Sequence, residues 1–173
     1  MNRSKKIIIL CHCLLNSNAK ITPLATCGGV YKSVVAQYIA DGVGLVQLPC
    51  PESGYLGQNR WGMTRDQYNT LHFRKYCREI LAPSLNQIKA FVDAGYEIQG
   101  VIGMDGSPNC GVEETCIGFT GGEICCQEDI ERQRDNMSMV PGRGVFFEVL
   151  QEMLLAEEIS LPFWAVDERN IKE

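Results

Sequence analysis

Three of the nine cysteines in this chain follow closely on apolar stretches that have the character of buried strands. They are Cys13, in the run Cys-His-Cys-Leu-Leu, Cys50, in Pro-Cys-Pro-Glu, and Cys110, in Ser-Pro-Asn-Cys-Gly. Cysteine thiolates are ligands that zinc and iron–sulfur clusters prefer. The close Cys-x₂₋₄-Cys spacing of zinc sites and the Cys-x₂-Cys-x₂-Cys run of bacterial ferredoxins are both missing. These cysteines can therefore share a metal only if the fold brings them together.

The elements that must position the cysteines are predicted from the hydrophobic pattern. Four apolar runs are continuous rather than alternating, which favours parallel strands covered on both faces. These runs cover residues 6–11, 43–48, 98–104 and 162–166. Helical segments lie between them at 33–40 and 66–94, and a last amphipathic helix begins after residues 141–144. The alternation indicates an α/β fold: a single three-layer Rossmann-like domain over residues 1–173, with a mostly parallel sheet of about four strands.

Three segments carry more specific expectations. Pro83 should kink the long helical segment or start a second helix within it. Residues 112–140 are irregular and rich in Gly, Cys and charge, so we expect an excursion packed on the domain, with a short hairpin around Gly121-Gly122. The loop at 142–144 leads into a helix N-terminus, which makes it a candidate anion site.

The carboxyl ends of the predicted strands define where a ligand should bind. In an open parallel α/β sheet, ligands bind beyond those ends, and the rule brings Cys13, Cys50 and Cys110 to one edge. Prolines flank the last two of these cysteines and restrict the backbone there, so we expect the thiols to be held in place before any ligand binds. Three cysteine ligands would leave one iron of a 4Fe-4S cluster open, and an open iron is a Lewis acid. Zinc is the less favoured alternative for the same ligands.

At these residues the sequence resembles the TudS-like thiouracil desulfidases. The resemblance is carried, in the right order along most of the chain, by Cys13-Leu14-Leu15-Asn16, Cys50-Pro51-Glu52, Ser107-Pro108-Asn109-Cys110-Gly111 and Gly142-Arg143-Gly144-Val145. It implies a 4Fe-4S cluster held by the three cysteines, and removal of sulfur from a thiolated pyrimidine base or nucleotide. Water would replace the sulfur at carbon without net oxidation or reduction. Two positions depart from the family pattern, since Asn16 stands for a glycine and Asn109 for a serine.

The same resemblance makes Glu52 and Ser107 the proton-handling pair. A carboxylate beside the cluster can activate water, and a hydroxyl can relay a proton or orient the substrate. The alternatives are a loop carboxylate that caps a backbone N–H and a hydroxyl that stabilises a turn. The candidate substrate-binding residues are Asn16 and Arg60. Arg60 lies in a Gly-rich loop on the ligand side, where it could bind a phosphate bidentately or form a surface salt bridge.

The remaining cysteines have plainer interpretations. Strand alternation should point Cys11 away from the first ligand cysteine or into the core, so it is not expected to be a ligand. Cys77 lies inside a predicted helix and is expected to be a small buried hydrophobe. Cys116, Cys125 and Cys126 could bind zinc or form a labile disulfide, but plain surface or core roles are favoured.

Charge and hydropathy restrict the partners. The net charge of −5 argues against binding to a nucleic-acid polymer, which needs a basic surface. No apolar run approaches the roughly 20 residues of a membrane span, and the N-terminal run lacks a signal-peptide cleavage pattern. We therefore expect a cytoplasmic enzyme acting on a small thiolated molecule. The rival hypotheses are a non-catalytic iron–sulfur or zinc sensor and a thiol redox protein.

Overall fold

The computed structural model describes residues 3–171, which contain six strands. The strands are β1 (Lys6–Leu10), β2 (Gly44–Gln47), β3 (Glu97–Met104), β4 (Glu114–Ile117), β5 (Ser138–Pro141) and β6 (Phe163–Val166). Four of them form one parallel sheet in the order β2-β1-β3-β6, and β4 pairs with β5 in a separate antiparallel ribbon. With helices flanking the parallel sheet, the fold is the Rossmann-like three-layer α/β domain that the sequence predicts.

Seven α-helices connect these strands in the described part of the chain. They are α1 (His12–Leu15), α2 (Lys32–Ala40), α3 (Pro51–Leu56), α4 (Arg65–Tyr68), α5 (Leu71–Asp93), α6 (Gln127–Asn136) and α7 (Val145–Ala156). Within residues 3–171, no helix combines the length and the apolar character needed to cross a bilayer. The short helices α1 and α3, which begin directly after strand ends, were not anticipated from the hydrophobic pattern.

The centre of the sheet is apolar on both faces. Ile7, Ile8, Ile9 and Leu10 of β1 are all buried, as expected for an inner strand covered by helices on both sides. Fully burying one such side chain contributes roughly 1.5–3 kcal/mol. Burial of these side chains therefore holds β1 at the centre of the sheet, and Cys11 and Cys13 follow directly after its end.

The register of β1 against β3 shifts between Ile7 and Ile9, opposite a glycine. That glycine, Gly100, has a φ of 150°, and a Cβ there would lie 2.3 Å from the Trp164 ring. A side chain at this position would thus collide with the neighbouring strand. Gly100 permits β3 to pass tightly between β1 and β6 on its way to the functional edge.

Of the two alternatives expected at Pro83, a second helix is wrong, because α5 is continuous from Leu71 to Asp93. The chain breaks instead between α4 and α5, where Thr70 caps α5 by accepting a hydrogen bond from the N–H of Phe73. Pro83 lies inside the continuous helix on its exposed side, so the carbonyl that loses its N–H partner can be hydrated. Packing of α5 against α7 and β3 holds the helix through that position.

The excursion at 112–140 is present, but the expected hairpin at Gly121-Gly122 is wrong. The two strands that pair are β4 and β5, with Glu114 opposite Pro141 and Ile117 opposite Ser138. A segment containing α6 joins them, so the glycines lie in a longer connection. A tight turn was expected because adjacent glycines favour one, whereas the actual pairing depends on a long-range contact.

Candidate functional site

The ends of three neighbouring parallel strands deliver the three predicted cysteines to one cavity. Cys13 lies in α1 just after β1, Cys50 is the N-cap of α3 after β2, and Cys110 lies in the loop after β3. The cavity has a volume of about 410 Å³, within the range of small-molecule sites. Its wall includes six of the seven candidate residues, namely Cys13, Cys50, Glu52, Arg60, Ser107 and Cys110.

The loop that carries Cys110 is tied down by side-chain caps. The Ser107 hydroxyl oxygen accepts hydrogen bonds from the N–H groups of Asn109 (3.2 Å) and Cys110 (3.0 Å). Asp105 accepts three more, at 2.9–3.2 Å, from the N–H groups of residues 112–114. Ser107 therefore does perform the turn-stabilising role, and its hydroxyl proton is left to donate toward the cavity that it lines.

The start of α7 supports the same loop. The N–H of Gly144 donates to the Gly111 carbonyl at 3.0 Å, and that of Val145 donates to the Pro108 carbonyl at 3.0 Å. A Cβ at Gly144 would lie 2.3 Å from the Asn109 carbonyl carbon. The N-terminal amides of α7, a candidate anion site from the sequence, are thus occupied by carbonyls of the cysteine loop and position that loop.

Two thiols are in contact beside the cavity. The Sγ atoms of Cys11 and Cys13 are 3.6 Å apart. Of the two expected positions, Cys11 takes the one in the core, where it is fully buried and also contacts Cys13. Cys11 caps α1 instead of continuing β1, so the alternation of a strand does not apply to it.

The environment favours the protonated form of these thiols when no metal neutralises them. The hydrogen bond with Cys11, followed by burial, raises the pKa of Cys13 well above its ordinary range. For Cys110, the Cys11 contact lowers the pKa, but burial and the neighbouring negative charges raise it to about 11 overall. Burial also raises the pKa of Cys50, which the N–H of Ser53 partly offsets. A bound cation would reverse this preference, because thiolate ligation displaces the protons.

Glu52 is held from both sides. Its Oε1 accepts a hydrogen bond from the Asn109 amide nitrogen at 3.1 Å, and its Oε2 accepts from Nε and Nη2 of Arg60, both at 3.4 Å. The Arg60 side chain is only 3% exposed and also donates to the carbonyls of Ala19 (2.6 Å) and Gly57 (3.0 Å). Arg60 therefore lies at the cavity, but its guanidinium is engaged by the protein itself.

Two buried polar atoms beside Glu52 have no hydrogen-bond partner among residues 3–171: the Tyr68 hydroxyl and Oδ1 of Asn109. Burial, followed by the charge of Glu52, raises the pKa of Tyr68 far above its ordinary value. Most buried polar atoms in proteins are hydrogen-bonded, so unpaired ones mark a site rather than packing alone. Sequence reasoning missed Tyr68, since a tyrosine in a short helix gives no local signal.

A charged cluster closes the outer part of the cavity. Lys20 pairs with Glu168, whose carboxylate also accepts a hydrogen bond from the Tyr31 hydroxyl at 2.7 Å. Arg169 pairs with Asp167 and Glu114, both at 2.8 Å. The Lys20–Glu168 contact joins the segment after α1 to the C-terminal segment. These residues are far apart in sequence, so no local sequence pattern predicts their contact.

Other candidates lie elsewhere. Asn16 is outside the cavity wall: its side chain accepts from Asn18 at 2.9 Å, and its φ of −155° requires no left-handed conformation. Cys116, in β4, does line the cavity, which the sequence did not indicate. Cys125 and Cys126 are exposed at the start of α6. Among residues 3–171, no three His, Cys, Asp or Glu side chains are grouped as ligands of a single metal ion.

Comparison with known proteins finds one relative of note. The chain is 32% identical over 110 residues to the "Uncharacterized protein MJ0003" of Methanocaldococcus jannaschii, a match covering 64% of this chain and 70% of that protein. No protein-family model matches the chain. No solved structure matches it either.

Proposed function

This chain belongs to the family of the M. jannaschii protein MJ0003, and we propose that it is an iron–sulfur-dependent desulfidase acting on a thiolated pyrimidine. The observation that carries the proposal is the convergence of Cys13, Cys50 and Cys110, from the ends of three parallel strands, on one cavity that also contains a carboxylate and a hydroxyl. The resemblance to TudS-like desulfidases rests on the same residues.

The donor set fits a 4Fe-4S cluster. All three candidate ligands are sulfur, the donor that such clusters require. Cys13, Cys50 and Cys110 would hold the cluster, and all three line the same cavity. A bound cluster with three protein ligands would supply a Lewis-acidic iron for the substrate's sulfur.

The protein's own residues then handle orientation and protons. Glu52, fixed by Asn109 and Arg60, presents a carboxylate that can take a proton from water as its oxygen attacks the carbon. Ser107 accepts two backbone hydrogen bonds, so its O–H is free to donate to the heterocycle. The overall reaction is a hydrolysis: the C–S bond breaks, a C–O bond forms from water, and sulfide leaves. No atom is oxidised or reduced.

The charges of the cavity favour a neutral substrate over a nucleotide. Lys20, Arg60 and Arg169 all line the cavity, and each is already paired with a carboxylate. A phosphate would have to displace one of those partners. We therefore infer that the free base or nucleoside is preferred, and that Arg60 holds Glu52 in place and does not clamp a phosphate.

The experiment is anaerobic reconstitution followed by iron and sulfide counting and an assay of sulfide release. Thiolated uracils, their nucleosides and their monophosphates are compared as substrates. Glu52→Gln and Ser107→Ala should keep the full cluster, since neither residue is a ligand, and should lose turnover by roughly two to four orders of magnitude. The control is Glu113→Gln, an exposed carboxylate on the adjoining loop, which should behave as the parent.

Two results would remove the proposal. A parent that binds a full cluster but releases no sulfide from any of these compounds would favour the sensor hypothesis. A colourless parent that binds no iron after anaerobic reconstitution would exclude the cluster itself. If both variants turn over normally with intact clusters, only the roles of Glu52 and Ser107 fail.

A further inference from the structure

We propose that Cys11 is a positioning residue that donates an S–H hydrogen bond to the ligand sulfur of Cys13 and thereby tunes the cluster's reduction potential. The inference rests on the proposed function only in requiring the cluster, not the desulfidase reaction. Cys11 was expected to be a plain buried thiol, and neither the ligand set nor the acid–base pair makes use of it.

The geometry places Cys11 in a layer behind the ligands. Its side chain is fully buried and lies outside the cavity wall, whereas Cys13 and Cys110 line that wall. Its Sγ is 3.6 Å from that of Cys13, within the range of a sulfur hydrogen bond. Cys11 therefore contacts ligand sulfur without being able to contact substrate.

The backbone fixes this position. The N–H of Cys11 donates to the Ile102 carbonyl of β3 at 2.9 Å, which ties the end of β1 to the neighbouring strand. Its carbonyl accepts from the N–H of Leu14 at 3.3 Å, in the first turn of α1. Cys11 is thus held between the ends of two strands, β1 and β3, each of which is followed by a candidate ligand.

The direction of the hydrogen bond follows from the chemistry of ligation. Either sulfur could donate in the metal-free protein. Once Cys13 and Cys110 bind iron as thiolates they have no proton, so Cys11 must be the donor. A donor to a ligand sulfur stabilises the more negative, reduced cluster and raises its potential. Removing the donor should therefore shift the potential to more negative values.

The test compares four proteins after anaerobic reconstitution. Cys11→Ala removes the donor, Cys11→Ser keeps one, and Cys77→Ala removes a fully buried thiol in α5 as the matched control. Cluster content is counted, the midpoint potential is measured by dye-mediated titration, and the S–H stretching band is recorded by infrared spectroscopy. Cys11→Val serves as a second apolar variant if the alanine variant folds poorly.

The expected result is full iron content in all variants and a more negative potential for Cys11→Ala or Cys11→Val. Cys11→Ser should return toward the parent value, and Cys77→Ala should equal it. A hydrogen-bonded S–H band, shifted to lower frequency, should disappear in the Cys11 variants alone. A thiol with a purely structural role would not give both results, loss of this band and recovery of the potential in Cys11→Ser.

Unchanged potential and an unchanged S–H band in Cys11→Ala would overturn the inference. Loss of iron in both the alanine and serine variants would overturn it differently, by making Cys11 a ligand. These outcomes are separate from failure of the proposed reaction. A parent that keeps its cluster but releases no sulfide still allows each Cys11 measurement, whereas a parent that takes up no iron overturns both proposals.

Discussion

The buried pair of Arg60 and Glu52 gives a stability prediction that needs no cofactor. In Arg60→Met the guanidinium is lost, together with its contacts to the Ala19 and Gly57 carbonyls and to Glu52. Glu52, 12% exposed, then keeps only the Asn109 amide as a partner. Breaking a buried ion pair by removing one member costs about 3–5 kcal/mol. Because the Glu52 contacts are long, at 3.4 Å, we expect the lower end, about 3 kcal/mol off the free energy of unfolding.

A double-mutant cycle separates the two parts of that cost. In a Glu52→Gln background no buried carboxylate is left unpaired, so the penalty of Arg60→Met should fall to that of the two lost carbonyl contacts. The difference, the coupling energy, should be about 1–2 kcal/mol, within the range of directly interacting residues. Arg60→Lys should lie between the parent and the methionine variant, since an ammonium cannot reach all three partners together.

The assay is urea unfolding of the metal-free, reduced protein, followed by circular dichroism. Arg169→Met is the control, because Arg169 is 62% exposed and its ion pairs are screened by solvent. Its unfolding midpoint should stay close to that of the parent. A coupling energy indistinguishable from zero, or equal losses in Arg60→Met and Arg169→Met, would refute the view that Arg60 holds Glu52.

Two further predictions concern the cysteine loop. Because the folded-state pKa of Cys110 is raised from 9.0 to about 11, its contribution to stability is fully present below about pH 9 and is lost as the pH rises toward 11. The free energy of unfolding of the metal-free protein should fall by about 2–3 kcal/mol over this range, measured from urea unfolding at each pH. In Cys110→Ser the free energy of unfolding should depend less steeply on pH. An equal pH dependence in the parent and the variant would contradict the prediction. Gly144→Ala should cost about 1–3 kcal/mol, because its Cβ would lie 2.3 Å from Asn109 backbone. Gly28→Ala, with nothing within 4 Å, is its control, and equal midpoints for the two would refute the close packing.

The positions of the three ligand candidates could be predicted because they depend on few assumptions. Each of Cys13, Cys50 and Cys110 follows a continuous apolar run, and such runs are reliable signals of buried parallel strands. The rule that ligands bind beyond strand ends then needs only strand direction, which the βαβ alternation supplies. The parallel sheet and its four strands confirm the predicted fold, while the chemistry of the cavity stays a prediction.

The expectations that the structure contradicts were based on local sequence preferences. Pro83 was expected to kink the helix or start a second one, because local rules treat an interior proline as a defect, but no second helix starts there and the position is exposed. Gly121-Gly122 was expected to turn a hairpin because the pair favours one, but Ile117 pairs with Ser138 across a helix-containing connection. In both cases tertiary packing overrides a local preference, and a single sequence does not record that packing.

The two positions that differ from the TudS-like motifs, Asn16 and Asn109, lead to opposite conclusions about the site. Asn109 is buried and its amide reaches Glu52, so at this position the longer side chain contacts the carboxylate directly. The Asn16 side chain accepts a hydrogen bond from its neighbour Asn18 and lies outside the cavity wall. A serine at 109 would be too short to make the same contact, whereas the exchange at 16 changes only a turn. Of the two, Asn109 is therefore the one that can affect the proposed reaction, because it positions Glu52, the proposed proton acceptor.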